Sequence, residues 1–280
     1  MRLSRTRLET RSWRESCRVA GERVALVPTM GYLHEGHLSL ITTAREHADR
    51  VVVSIFVNPL QFGPGEDFER YPRDLDRDLE MCEEAGAHLT FAPEVGDVYP
   101  DGESWTHVVP VRGADRLCGA SRPGHFAGVL TVVAKLFGIV RPEVAVFGRK
   151  DYQQLVLIRR MVQDLELGIG IVGAPIVRDP DGLAMSSRNS YLSAAERSRA
   201  LAIPRALERC RRRFAEGERN AEVLRGLLMG VEGEGVSVEY GEVVHPATLD
   251  PLSEATEGAV CAIAARVGTT RLIDNTILGT

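Results

Sequence analysis

Through the first 177 residues, short continuous apolar runs alternate with stretches in which apolar residues recur every three or four positions. The runs are Arg23–Pro28 (RVALVP), Val51–Val57 (VVVSIFV), His88–Phe91, Val144–Phe147 and Ile169–Val177. Continuous, β-branched runs of this length suit strands buried on both faces, as in a parallel sheet. Between them, four groups of residues each mark one apolar helix face. They are Leu38, Ile41, Ala44 and Ala48; Leu75, Leu79, Cys82 and Ala85; Val129, Val132, Val133, Leu136, Phe137 and Val140; and Leu155, Ile158, Val162 and Leu165. Gly86 is placed to end the second of these helices, and Pro142 stops the third. Strand–helix alternation at this rhythm predicts an α/β fold with a doubly wound parallel sheet. Ligands bind such sheets beyond the carboxyl ends of the strands, so the segments there carry the candidate chemistry.

The rhythm changes after Val177. Ser193 with Glu196 forms a capping box that opens a helix. Asn220 is a second cap, followed by Val223, Leu224, Leu227, Leu228 and Val231 on one face. Glu232–Gly235 (EGEG) reads as a loop. Val236, Val238 and Tyr240 then alternate, and apolar runs follow at Ala259–Ala265 and Arg271–Ile273. This predicts a smaller α+β domain with an antiparallel sheet, dividing the chain into 1–177 and 178–280. The N-terminal MRLSRTRLETRSWRES is basic without an apolar stretch, and reads as a surface lead-in to the first strand rather than a signal peptide.

Composition narrows the function classes. The chain of 280 residues is 44% hydrophobic and 26% charged, a globular balance. A formal net charge of −5 with 6% aromatics argues against a nucleic-acid-binding module, which needs a basic surface and stacking rings. No apolar run approaches the roughly 18 residues of a membrane span. The five scattered cysteines (Cys17, Cys82, Cys118, Cys210, Cys261) contain no Cys-x-x-Cys pair, which disfavours a zinc site and suits a reducing, cytoplasmic setting.

The strongest local signal is Pro28–His37 (PTMGYLHEGH), between the first strand and the first helix. Gly31 permits a positive-φ turn. A helix start offers backbone N–H groups and the positive end of a dipole, which suits phosphate. His34 and His37, three residues apart, share a face of the first helical turn and can donate to phosphate oxygens. Two histidines at this spacing can also ligate a metal, but no carboxylate or thiol partner is evident. Gln61 follows the second long strand; its amide both donates and accepts, although a solvated loop amide is the plainer reading. After another strand come Gly148, Arg149, Lys150 and Asp151; Lys150 suits phosphate, and Asp151 either caps the next helix or meets a ribose. Met185-Ser186-Ser187-Arg188 sets two hydroxyls and a guanidinium in a polar loop, either for phosphate or as an ordinary cap. Arg122 and His125 either reach a substrate from a mobile loop or are structural.

His-x-Gly-His at a strand–helix junction resembles the nucleotidylyltransferase superfamily and the class I aminoacyl-tRNA synthetases. The longer wording, VPTMGYLHEGHLSLI with VVVSIFVNPLQF, RPGHFAGV, FGRKDYQQL, DGLAMSSRNSYL and RLIDN (Arg271–Asn275), is similar to the pantothenate synthetase family. The resemblance implies a Rossmann-like nucleotide- and pantoate-binding domain at 1–177 and a lid at 178–280. It implies an ATP-dependent ligase joining (R)-pantoate to β-alanine through an acyl-adenylate, with AMP and pyrophosphate released. It assigns Met30, Gly31, Tyr32, Leu33, His34, Glu35, Gly36 and His37, Gly148 to Asp151, Val177, and Met185 to Arg188 to ATP. Gln61 and Gln154 go to pantoate and β-alanine, and His37, His34, Lys150 and Arg188 to catalysis. Magnesium is expected on the ATP phosphates with no dedicated protein site. No organic prosthetic group, nucleic acid or membrane is implied, and the family is commonly homodimeric. One departure is Arg149, where the family usually has Glu: a charge reversal beside Lys150, read as an outward surface side chain. The rival readings are another adenylyl-transferring enzyme, a synthetase-like RNA-binding module, and a noncatalytic nucleotide-binding protein.

Overall fold

The computed structural model describes residues 1–102, 104–233 and 235–279; Glu234, in the loop expected at 232–235, lies outside them. The chain divides into two compact units, one of Met1–Val111, Arg122–Arg149 and Leu157–Pro175, the other of Arg112–Ser121, Lys150–Val156 and Ile176–Thr280.

In chain order the elements are β1 (Arg2–Ser4), α1 (Arg7–Val19), β2 (Val24–Thr29), α2 (Glu35–His47), β3 (Arg50–Ile55), α3 (Leu75–Glu84), β4 (Leu89–Phe91), α4 (Val95–Val98), α5 (Cys118–Ser121), α6 (His125–Val140), β5 (Val144–Gly148), α7 (Tyr152–Asp164) and β6 (Gly170–Ala174). They continue with α8 (Ala194–Ala200), α9 (Ala202–Ala215), α10 (Ala221–Met229), β7 (Val236–Val244), β8 (Val260–Val267) and β9 (Thr270–Ile277).

The first unit holds a six-stranded sheet in the order β1-β4-β3-β2-β5-β6, with every pairing parallel. Winding outward from β2 in both directions makes it the predicted doubly wound sheet. Its topological switch lies between β2 and β5, where Ala25 pairs with Val144 and Leu26 with Ala145. Strand alternation sends Ala25, Val27, Val51, Val53, Val144 and Val146 into one core with Leu40, Ile41 and Ala44 of α2. Val24, Leu26 and Val52, equally buried, point to the opposite face. There α6 is apolar almost all round, with Val129, Val132, Val133, Leu136, Phe137 and Val140 all buried.

The N-terminal lead-in is corrected. Arg2–Ser4 adds a parallel edge strand on β4, and Arg7–Val19 is a helix opened by a Thr6–Glu9 capping box. Thr6-x-x-Glu9 is a legible helix start; the basic side chains of α1 masked it. The expected strand at Ile169–Val177 stops at Ala174, before Pro175, and Leu165 falls beyond the end of α7 and is exposed.

The second unit holds an antiparallel sheet in the order β7-β8-β9. Cys261, Ile263, Ala265 and Val267 on one face of β8 pack with Ile203, Leu207, Cys210 and Phe214 of α9 and Leu224 and Leu228 of α10. On the other face Val260 and Ala262 pack with Leu117, Val156, Val244 and Leu249. The Ser193–Glu196 capping box and the Asn220 cap form as predicted. All five cysteines are buried and free.

Candidate functional site

Within the first unit, three predicted segments start from the carboxyl ends of adjacent strands: Met30–His34 after β2, Asn58–Gln61 after β3 and Arg149 after β5. This is the switch-point edge at which open α/β sheets bind ligands.

The segment after β2 turns tightly. Gly31 has φ +82° and Tyr32 φ +52°. A Cβ on Gly31 would lie 2.8 Å from Asp78 Oδ2 and 3.0 Å from Ile55 Cγ2, so this position needs glycine for space as well as for torsion. Asp78, from α3, accepts the Tyr32 and Leu33 amides, each at 2.7 Å. Burial pushes the Asp78 carboxyl above its ordinary range, against the lowering effect of those two amides. The Tyr32 and Leu33 amides, which precede the helix start, are thus held by Asp78. Sequence reasoning missed Asp78. Its signal was a carboxylate on the apolar Leu75–Cys82 face of a predicted helix.

His34 is the N-cap of α2 and His37 its third residue, and together they make a capping box. His34 Nδ1 accepts the Gly36 amide at 3.1 Å, and His37 Nδ1 accepts the His34 amide at 3.3 Å. Each neutral ring therefore carries its proton on Nε2, an assignment read from the hydrogen bonds. The ring centroids are 4.1 Å apart. The turn thus converts two imidazoles into a pair of fixed Nε2–H donors, the chemistry a charged oxygen requires.

Gln61 lies in a short 3-10 turn, Pro59–Gln61, capped by Asn58. Its Nε2 donates to Met30 Sδ at 3.1 Å, joining the segments after β2 and β3. Asn58 is fully buried; it donates to Gln61 Oε1 and to the Gly128 carbonyl, and accepts from the Tyr99 hydroxyl at 2.8 Å. Gly128 is obligatory here, since a Cβ would meet the Leu60 carbonyl oxygen at 2.2 Å. Arg122 and His125 have structural contacts in this unit. Arg122 holds Glu66 through two bonds of 2.7 and 2.6 Å, and both Arg122 and His125 contact the Gln61 carbonyl. Burial raises the Glu66 carboxyl, but the Arg122 hydrogen bonds and charge outweigh it and bring it down to about 2. Arg149 is exposed, as read, and its Nε donates to the Gly173 carbonyl at 2.9 Å.

The second unit carries Lys150, Asp151, Gln154, Val177 and Met185–Arg188. Lys150 sits in a 3-10 turn ahead of α7, its Nζ 3.8 Å from exposed Asp151. Val177 and Met185 close a hairpin, with the Met185 amide on the Val177 carbonyl at 3.0 Å. Its tip turns through Asp179-Pro180-Asp181-Gly182, with Gly182 at φ +93°. Arg197 of α8 grips the tip through Asp179 (2.7 Å) and Asp181 (2.8 Å). Beyond the hairpin, Ser186 caps a 3-10 turn, Ser187–Tyr191, by accepting the Arg188 amide. Among the described residues, no group of three or more His, Cys, Asp or Glu side chains is placed to hold a metal ion.

The sequence matches the Pantoate-beta-alanine ligase family model over residues 2–277. A pantothenate synthetase of Geobacter sulfurreducens is 52% identical over 281 residues, covering 100% of this chain and 99% of its own length. One of Anaeromyxobacter dehalogenans is 55% identical, covering 94% and 95%. A crystal structure of pantothenate synthetase from Thermus thermophilus superposes with a TM-score of 0.92 at 49% identity, covering 99% of each chain. The Francisella tularensis pantoate-beta-alanine ligase, solved with beta-gamma ATP and beta-alanine, gives 0.83 at 34% identity, covering 100% of this chain and 98% of that one. A turn that fixes two Nε2–H donors at the switch point, and matches running nearly end to end in sequence and structure, lead to one assignment: this chain belongs to the pantoate–beta-alanine ligase family.

Proposed function

We propose that this protein condenses (R)-pantoate with β-alanine to give pantothenate, AMP and pyrophosphate through a pantoyl-adenylate. The observation that carries the reading is the His34–His37 capping box, which fixes two Nε2–H donors where the sheet winds in both directions. Family membership supplies the substrates.

In the first step a pantoate carboxylate oxygen attacks the α-phosphorus, and the bond to the bridging oxygen of pyrophosphate breaks. Negative charge grows on the leaving phosphates. Donors already held in place by the fold stabilise it without reorganising. We assign that role to His34, His37, Lys150, Ser186, Ser187 and Arg188. ATP is further held by Met30 to Glu35, Gly36, Gly148, Arg149, Asp151, Val177 and Met185. Magnesium arrives on the phosphates as MgATP, keeping much of its water shell. In the second step the neutral amine of β-alanine attacks the acyl carbon, the C–O bond breaks and AMP departs. Positioning matters more than proton transfer here. Gln61 binds pantoate and β-alanine, and Gln154 binds pantoate. The Gln61 role is supported by the bracing of its turn by Asn58, Arg122 and His125.

No helix among the described residues is long and apolar enough to cross a membrane. We place the enzyme in the cytoplasm, a reading supported by its five unpaired cysteines. We propose that it works as a homodimer, as the family resemblance implies, a reading supported by Trp105, Val109 and Val111, which are 91%, 64% and 96% exposed.

Exchange of labelled pyrophosphate into ATP tests the assignment. It should require pantoate and proceed without β-alanine, whereas AMP release should require both. Exchange that ignores pantoate, or an adenylyl group retained in the final product, would mark another adenylyl-transfer enzyme.

A further inference from the structure

The RLIDN segment has no part in the steps above, yet it is among the most deeply tied polar features of the second unit. It lies on β9, one of the two edge strands, where Asp274 pairs with Ile263 and Asn275 with Ala262. Ile263 belongs to the core under α9 and α10, and Ala262 to the core on the opposite face. Successive residues of a strand point to opposite faces, so these two neighbours serve different sides of one sheet.

We propose that Asn275 is a positioning residue for Lys150, with Asp274 as its anchor. Asn275 is 4% exposed and its Nδ2 donates to the Lys150 carbonyl oxygen at 2.9 Å. That bond fixes the peptide between Lys150 and Asp151 at the turn that opens α7, and with it the direction in which the Lys150 side chain leaves the backbone. The Asn275 backbone amide in turn donates to Asp274 Oδ1 at 2.8 Å. Asp274, also 4% exposed, takes the Arg178 guanidinium at 2.7 and 3.1 Å. Arg178 also donates to the Gly182 carbonyl at 3.2 Å, within the hairpin that leads to Met185–Arg188. One dipeptide of β9 is thus bonded to the Lys150 turn through Asn275 and to that hairpin through Asp274. A lysine on a long, flexible stem gains most from a fixed root, because misplacing a catalytic group by about 1 Å can cost on the order of 100-fold in rate.

The inference rests on the ligase reading, in which Lys150 meets the ATP phosphates. A double-mutant cycle separates the two. The full chain is compared as Asn275→Ala, Lys150→Ala and both together, by pantoate-dependent pyrophosphate exchange, with thermal unfolding as the check on folding. Asn275→Ala should lower exchange about 10- to 100-fold. The double variant should be no slower than Lys150→Ala alone, because Asn275 acts only through Lys150. Losses that multiply would overturn the inference, since a residue serving general stability acts independently of Lys150. Exchange within twofold of wild type in Asn275→Ala, with Lys150→Ala impaired, would overturn it too and leave the ligase reading standing. Wild-type exchange in Lys150→Ala would remove the reading of Lys150 and this inference together. If the alanine variant does not fold, Asn275→Leu keeps the volume without the donor and is read in the same way.

Discussion

His34 and His37 each give Nδ1 to a backbone amide of their own turn, so neither ring can rotate to offer Nδ1 elsewhere without leaving an amide unpaired. The capping role is legible from His-x-x-His at a helix start; the tautomer is not, because it depends on torsions that only the folded turn shows. His37→Ala should lower pantoate-dependent pyrophosphate exchange by about 100-fold while the circular dichroism spectrum stays native. Exchange near the wild-type rate would remove His37 from the mechanism. Glu66 makes a second residue-level case. Its carboxyl falls from 4.5 in the unfolded chain to about 2 when folded. A depressed carboxyl contributes stability that is complete above its unfolded value and is lost as pH falls through its folded value. The stability gap between wild type and Glu66→Gln, read from urea midpoints, should be constant near neutrality and fall to roughly half near pH 3. A gap that does not change with pH would mean that the Arg122 pair contributes nothing to folding.

At the scale of elements, the doubly wound sheet was readable because parallel strands buried on both faces are nearly continuously apolar, as VALV and VVV are. The edge strand β1 escaped the same logic. Arg2–Ser4 is too short and too polar to show a period, and it exists only because β4 offers a parallel edge. Asp78 escaped for a different reason. Its partners are amides 45 and 46 residues away in sequence, and no local pattern encodes a bond of that separation. The turn it braces leads to a direct expectation. Gly31→Ala meets both a positive φ and a 2.8 Å approach to Asp78 Oδ2, whereas Gly124→Ala meets a positive φ with nothing within 4 Å. The first should cost about 2–4 kcal/mol in chemical denaturation and the second about 1 kcal/mol. Equal costs would show that the Asp78 brace yields freely.

For the whole molecule, the reading joins a fold of two units, a family and a reaction of two steps. The family was legible from long motifs, because phosphate-binding turns and switch-point segments tolerate few alternatives at each position. The proposed homodimer came from the resemblance alone, and a candidate interface was not legible, since an exposed apolar segment is seen only once the chain has folded. If the proposed dimer forms through this segment, Trp105→Asp with Val111→Asp should shift the sedimentation coefficient from dimer to monomer, and an unchanged dimer would exclude that segment as the interface. The central claim is that pantoate is activated on its own oxygen. Pantoate labelled with oxygen-18 in its carboxylate tests it most directly. The account predicts that AMP isolated after one turnover carries one labelled oxygen, because the bond formed in the first step stays with phosphorus when the amine breaks the acyl link. Unlabelled AMP, with the oxygen lost from pantoate found in pyrophosphate or in water, would contradict it.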